Sequence, residues 1–194
     1  MTVLIATDVF GATPAVASLV RSLACPCVVV SPFDDPAHYF QSEQKAYHAF
    51  LAQGGVARYS AKVSALLQGK ESHAGETPSP QPWKLAIGFS VGASALWLSS
   101  VIPEAAQLQG AILFYGSRIR DHLDLQPVCP VRLIFAEKEV AFDATLLTSE
   151  LRQRGHQAEL AQHTGHGFMN PYCARFHVKA QSMYLAQLAA LAQQ

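Results

Sequence analysis

The residue in this chain best placed to do chemistry is Ser90, set in the run Gly88-Phe89-Ser90-Val91-Gly92. Before it, Trp83-Lys84-Leu85-Ala86-Ile87 has the make-up of a short buried strand. After it, Ala93-Ser94-Ala95-Leu96-Trp97-Leu98 reads as the start of a packed helix. A serine at such a strand-to-helix turn is forced into a sharp backbone bend that lifts its hydroxyl clear of the sheet. The glycines on either side leave room for the bend, because a Cβ there would strike the adjoining strand or helix. The pattern predicts a nucleophilic serine; the alternative is a glycine-flanked turn whose serine merely caps the helix.

A serine hydroxyl is a weak nucleophile at neutral pH, so it needs a base titrating near ~6–7 and a group that orients that base. Eight histidines are available, at positions 38, 48, 73, 122, 156, 163, 166 and 177. Only His163 and His166 fall in a loop directly after a late strand and before the final helix. His163 is one polar step from the strand end and reads as a surface residue. His166, in Gly165-His166-Gly167-Phe168, is flanked by glycines that let the backbone approach the serine turn, and it is the candidate base.

An orienting acid lying between serine and histidine in chain order could be Asp121, Asp124, Glu137, Glu139, Asp143, Glu150 or Glu159. Glu137 and Glu139 follow at once on a predicted strand over 131–135. Asp143 has a competing job as a helix N-cap, and Glu150 and Glu159 lie inside regular elements. Glu139 is the first choice, Asp143 the second and Glu137 the third. A tetrahedral intermediate also needs backbone N–H donors aimed at its oxyanion. One should be the amide of Val91, directly after the serine, and the other that of Val9 or Phe10 in the loop after an early strand.

The elements that must hold these residues can be read along the chain. Residues 3–7, 27–31, 83–87, 110–115, 131–135 and 158–161 read as strands. Helices are predicted after Thr13-Pro14, where threonine caps and proline takes the first turn, over 43–53 after Ser42, and over 56–68. Further helices are expected after Ser90, from Asp143 to Arg154, and over 172–192; residues 69–82 read as a surface connection. Strands and helices alternate, which implies a parallel sheet covered on both faces. Reactive residues of such a sheet gather beyond the carboxyl ends of its strands, where Ser90, Asp8-Val9-Phe10-Gly11, Tyr115-Gly116-Ser117 and Glu137-Lys138-Glu139 all fall.

Composition narrows the possibilities. A chain of 194 residues fits one domain over 1–194, long enough to bury about 70% of its unfolded surface. Half the residues are hydrophobic, and fourteen basic side chains offset fourteen acidic ones without any basic run, so nucleic acid is not an expected partner. Cys25, Cys27, Cys129 and Cys173 lack the spacing of zinc or redox pairs and are expected as reduced thiols. No signal-peptide pattern or bilayer-length apolar run is visible, so a cytoplasmic protein needing neither metal nor cofactor is expected.

Taken in order, the blocks resemble those of the dienelactone hydrolase family. Asp8-Val9-Phe10-Gly11 is similar to its Glu-Ile-Phe-Gly loop, Gly88-Phe89-Ser90-Val91-Gly92 to its nucleophile turn, and Phe114-Tyr115-Gly116 to its Tyr-Gly strand end. Phe135-Ala136-Glu137-Lys138-Glu139 resembles its Phe-Gly-x-x-Asp acid loop, and Gly165-His166-Gly167-Phe168 its histidine signature. The resemblance implies an α/β-hydrolase fold, a mostly parallel sheet with helices on both faces and no large cap, acting on a small-molecule ester, lactone or thioester. It also implies Ser90 as nucleophile, His166 as base, Glu139 as acid and the Val9 amide in the oxyanion hole. Three departures stand out: serine replaces the cysteine of the dienelactone enzyme itself, glutamate replaces the acid-loop aspartate, and Asp8 stands where the family has a glutamate touching the resting thiol. Asp8 could keep that contact or hold the loop. Arg118 could bind a substrate carboxylate, and Phe33, Tyr39, Phe40, Tyr115 and Phe168 could line an apolar acyl site, with Phe10 and Asp8 beside it. A non-catalytic ligand- or partner-binding protein on the same scaffold is the alternative.

Overall fold

The computed structural model describes residues 2–70 and 83–193. Among the described residues six strands form one sheet: β1 (Thr2–Ala6), β2 (Cys27–Val30), β3 (Trp83–Phe89), β4 (Gly110–Phe114), β5 (Val131–Lys138) and β6 (Gln157–Gly165). Their order across the sheet is β2-β1-β3-β4-β5-β6, and every neighbouring pair is parallel. Among the described residues the α-helices are α1 (Pro14–Leu23), α2 (Glu43–Ala52), α3 (Gly55–Leu67), α4 (Val91–Ser99) and α5 (Ala144–Gln153), which lie between strands, and α6 (Val178–Gln193), which follows β6. This is the α/β-hydrolase arrangement. The expected surface connection at 69–82 lies outside the described residues beyond position 70.

The strands are apolar throughout because both faces of the sheet are covered. Val3, Ile5, Ile87, Ile112, Phe114 and Ile134 face α1 and α6, where Leu19, Leu23, Tyr184 and Leu188 complete one layer of core. Leu4, Ala6, Ala86, Leu113, Leu133 and Phe135 face the other way, onto Tyr59, Val63, Leu96, Trp97 and Leu151 of α3, α4 and α5. This two-residue alternation commits each strand to one register, since a slip of one residue would exchange the faces.

The caps sit where expected: Thr13, Ser42 and Asp143 open α1, α2 and α5 with side-chain bonds to first-turn amides. Other boundaries move. β3 runs two residues beyond Ile87, and α4 begins directly after Ser90. Helical structure near the end begins only at Val178, because residues 166–177 form a hydrogen-bonded loop. Strand β6 is longer than 158–161 and carries an irregularity: Ala136 pairs with Ala161, but Lys138 pairs with Gly165. Two extra residues of β6 are thus absorbed in a bulge, with His163 at φ 61°. Among the described residues no helix is long and apolar enough to cross a membrane.

Candidate active site

Sheet order reverses at β1, whose neighbours are β2 on one side and β3 on the other. Loops leaving the carboxyl ends of β1 and β3 therefore diverge to opposite faces and leave a crevice between them. The β1 loop carries Asp8, Val9 and Phe10, and the β3 turn carries Ser90. Both open onto one cleft of about 280 Å³, lined by Val9, Ser90, Val91, His166, Ser117 and Arg118, with Glu43, Tyr47, Phe50, Leu51 and Val56 as its wall.

Ser90 has φ 51° and ψ −113°, a combination that residues bearing a Cβ rarely adopt. What enforces it is close packing on each side. A Cβ on Gly92 would overlap the carbonyl oxygens of Ala6 and Thr7, and one on Gly88 would come within 2.7 Å of Ala93 Cα. The Ser90 amide donates to Phe114 O at 2.9 Å, which ties the turn to β4. The Val91 amide, first in α4, and the Val9 amide, in the β1 loop, have no acceptor among the described residues and both border the cleft. As donors at a helix N-terminus and a turn, they can serve an oxygen that gains negative charge.

Ser90 Oγ lies 2.9 Å from His166 Nε2, and His166 Nδ1 lies 2.9 Å from Glu139 Oε2 and 3.1 Å from Oε1. The Glu139 side chain is 2% exposed and that of His166 21%, so this chain of contacts runs from the cleft into the protein. An Nδ1–H donated to Glu139 leaves Nε2 as acceptor for the serine hydroxyl, the tautomer that general-base chemistry requires.

Several candidate residues have other duties. The Asp143 carboxylate accepts from the Thr145 and Leu146 amides and caps α5. Glu137 Oε2 accepts from the His163 amide at 2.8 Å, satisfying a donor that the β6 bulge removes from the ladder. His163 is exposed, as expected. Asp8 is not bonded to Ser90: its Oδ1 accepts from the Phe10 amide at 2.9 Å and its Oδ2 from Asn170 Nδ2 at 2.6 Å. Burial pushes its carboxyl up to about 6, against the lowering effects of Asn170, Phe10 and His166; Glu43 raises it slightly.

The expected acyl-site aromatics are not at the cleft. Tyr115 and Phe168 are fully buried, with the Tyr115 ring edge-on to His166 at 5.1 Å and Phe168 behind it at 5.2 Å, so they back the imidazole. Phe10 packs on Tyr172, and Phe33 with Phe40 around His38. Tyr39 lies against Tyr172. Phe10, Phe33, Tyr115 and Phe168 are drawn into the core instead, while Tyr39 stays exposed and Phe40 partly so. Arg118 does line the cleft, but its Nε is 2.9 Å from Asp121 Oδ2. The apolar wall comes from α2 and the start of α3, where Tyr47 and Leu51 stay half exposed one helical turn apart. The i, i+4 spacing of Tyr47 and Leu51 on a weakly amphipathic helix was the signal available in the sequence. Among the described residues no group of three or more His, Cys, Asp or Glu side chains is placed to hold a metal.

Comparison with known proteins bears on the family and the fold. A family model described as the dienelactone hydrolase family matches residues 1–193. A Bacillus subtilis (strain 168) protein, uncharacterized protein YczH, is 45% identical over 93 residues, covering 47% of this chain and 45% of that protein. Among solved structures, a presumed dienelactone hydrolase from Klebsiella pneumoniae subsp. pneumoniae superposes with a TM-score of 0.71 at 18% identity, covering all of this chain and 86% of that one. A dienelactone hydrolase-like promiscuous phosphotriesterase from metagenomic libraries gives 0.67 at 15% identity (99% and 85% covered), and esterase PE8 gives 0.58 at 18% (98% and 92%). With the match extending over nearly every residue, the chain belongs to the dienelactone hydrolase family.

Proposed function

We propose that this protein hydrolyses small carboxylic esters, lactones or thioesters through an acyl-enzyme on Ser90. The observation that carries this reading is the unbroken contact from Ser90 Oγ to His166 Nε2 and from His166 Nδ1 to Glu139. His166 Nε2 takes the serine proton as Oγ bonds to the substrate carbonyl carbon. The carbonyl oxygen becomes an oxyanion held by the Val9 and Val91 amides. The intermediate collapses, the alkoxide or thiolate leaves with the proton from Nε2, and the acyl group stays on Oγ. Water then gives a proton to Nε2 and its oxygen to the acyl carbon, and Oγ departs reprotonated. Glu139 keeps Nδ1–H oriented and offsets the positive charge the ring carries in both transition states.

The apolar wall of Tyr47, Phe50, Leu51 and Val56 and the modest cleft favour short acyl groups without charge. Membership of a hydrolase family and the likeness to an esterase fold support the same reaction class. Four free thiols fit a reducing, cytoplasmic setting, which we propose as well. A fluorophosphonate probe and p-nitrophenyl acetate test the reading together: Ser90 should be labelled, and Ser90→Ala should abolish both labelling and turnover. Full activity in that variant would remove the mechanism. A wild-type protein silent to both reagents would point instead to a binding protein on this scaffold.

A further inference from the structure

Asp8 and Asn170 stand 162 positions apart, one in the loop after β1 and the other in the loop after β6, and their side chains meet at 2.6 Å. Both are buried, 7% and 8% exposed. We propose that this pair is a latch holding the oxyanion loop and the histidine loop in one fixed relation, which makes Asp8 and Asn170 positioning residues for the hydrolysis read from the site above. The inference rests on that reading.

Each end of the latch is tied to a reacting group. Asp8 Oδ1 accepts from the Phe10 amide at 2.9 Å and so closes a tight turn around Val9, whose own amide borders the cleft. Asn170 Oδ1 accepts from the Tyr172 amide at 2.9 Å, its amide donates to Gly167 O, and its carbonyl accepts from the Cys173 amide. Cys173 Sγ in turn donates to His166 O at 3.2 Å. Rotation of Val9 or drift of His166 would therefore have to break the Asp8–Asn170 bond. A carboxylate suits position 8 because it accepts only, taking two N–H donors at once with no hydrogen of its own to place. Its burial is unfavourable, and a buried charge held by two donors fits positioning better than filling. The titratable groups near it are His166 on the facing loop after β6, Glu43 on α2, and the phenols Tyr59 on α3 and Tyr115 after β4, both of which burial keeps neutral.

The hydrogen-bond polarity makes a reciprocal exchange diagnostic. When Asp8→Asn is combined with Asn170→Asp, the amide introduced in the β1 loop can accept from the Phe10 N–H and donate across to the carboxylate introduced in the β6 loop. That carboxylate still accepts from the Tyr172 amide. Every bond survives while the charge changes loops. Steady-state kinetics with p-nitrophenyl acetate on the full chain compare wild type, Asn170→Ala, Asn170→Asp, Asp8→Asn and the double exchange. The single variants should lose about ten- to hundredfold in kcat with KM within about threefold, as misplacement of a reacting group predicts. The double exchange should recover to within about fivefold of wild type. Wild-type kcat in Asn170→Ala, or a double exchange no better than its parents, would overturn the latch. Hydrogen exchange of the Phe10 amide gives a readout independent of turnover: faster in Asn170→Ala and restored in the double exchange. If the wild type turns over no ester, the hydrolase reading fails by itself, and unchanged Phe10 exchange would then overturn the latch separately.

Discussion

Glu139 and His166 stand side by side because Lys138 pairs with Gly165, so the next residue of each strand leaves the sheet together. That pairing exists only because the β6 bulge takes up two additional residues between Ala161 and Gly165. Longer by one methylene than aspartate, the glutamate reaches Nδ1 from a side chain that is 2% exposed.

Glu139→Gln should lower kcat about 10³- to 10⁴-fold with KM little changed, because an amide in that place favours the wrong imidazole tautomer. Asp143→Asn should leave kcat within about twofold, since asparagine caps a helix almost as well as aspartate. Ester kinetics on the two variants decide between them, and the reverse ordering would move the acid role to Asp143.

Gly92→Ala should prevent accumulation of folded protein, as the new methyl would overlap the Ala6 and Thr7 carbonyls. Ser90→Gly, by contrast, should melt higher than Ser90→Ala. Glycine relieves a backbone conformation worth about 1–3 kcal/mol of strain, less about 0.5–1 kcal/mol for its freedom in the unfolded chain. Thermal unfolding of the two inactive proteins checks the sign.

Leu51→Ala should discriminate substrates by length. Leu51 walls the cleft and is 52% exposed, so shortening it leaves the fold intact. We expect KM for p-nitrophenyl butyrate to rise about three- to tenfold more than KM for the acetate, from the loss of contact with roughly one or two methylenes. Equal changes for both esters would place the acyl chain elsewhere.

Stability should depend on pH through Asp8, whose carboxyl rises from 3.8 to about 6 on burial. The native state holds that proton more tightly than the unfolded chain does. Its contribution is therefore fully present below pH 3.8 and declines as pH rises through about 6. The full change is on the order of 3 kcal/mol. Urea unfolding at a series of pH values should show the wild type losing stability relative to Asp8→Asn between about pH 4 and 7, then a constant difference. A difference that is constant throughout would contradict this account of Asp8.

The sequence by itself determined the alternation of strands and helices, the caps at Thr13, Ser42 and Asp143, and the candidates Ser90, His166 and Glu139. These depend on local chemistry: glycine spacing, period-two apolar runs, and side chains that bond amides two or three residues away. Tertiary structure decided what local rules cannot reach. The partner of Asp8 lies 162 positions away, the role of Glu137 depends on a bulge in a neighbouring strand, and the apolar wall of the cleft comes from α2 and the start of α3, with Tyr115 and Phe168 buried behind His166. Large rings go wherever the core has volume for them, and only the packed arrangement of sheet and helices sets where that volume lies.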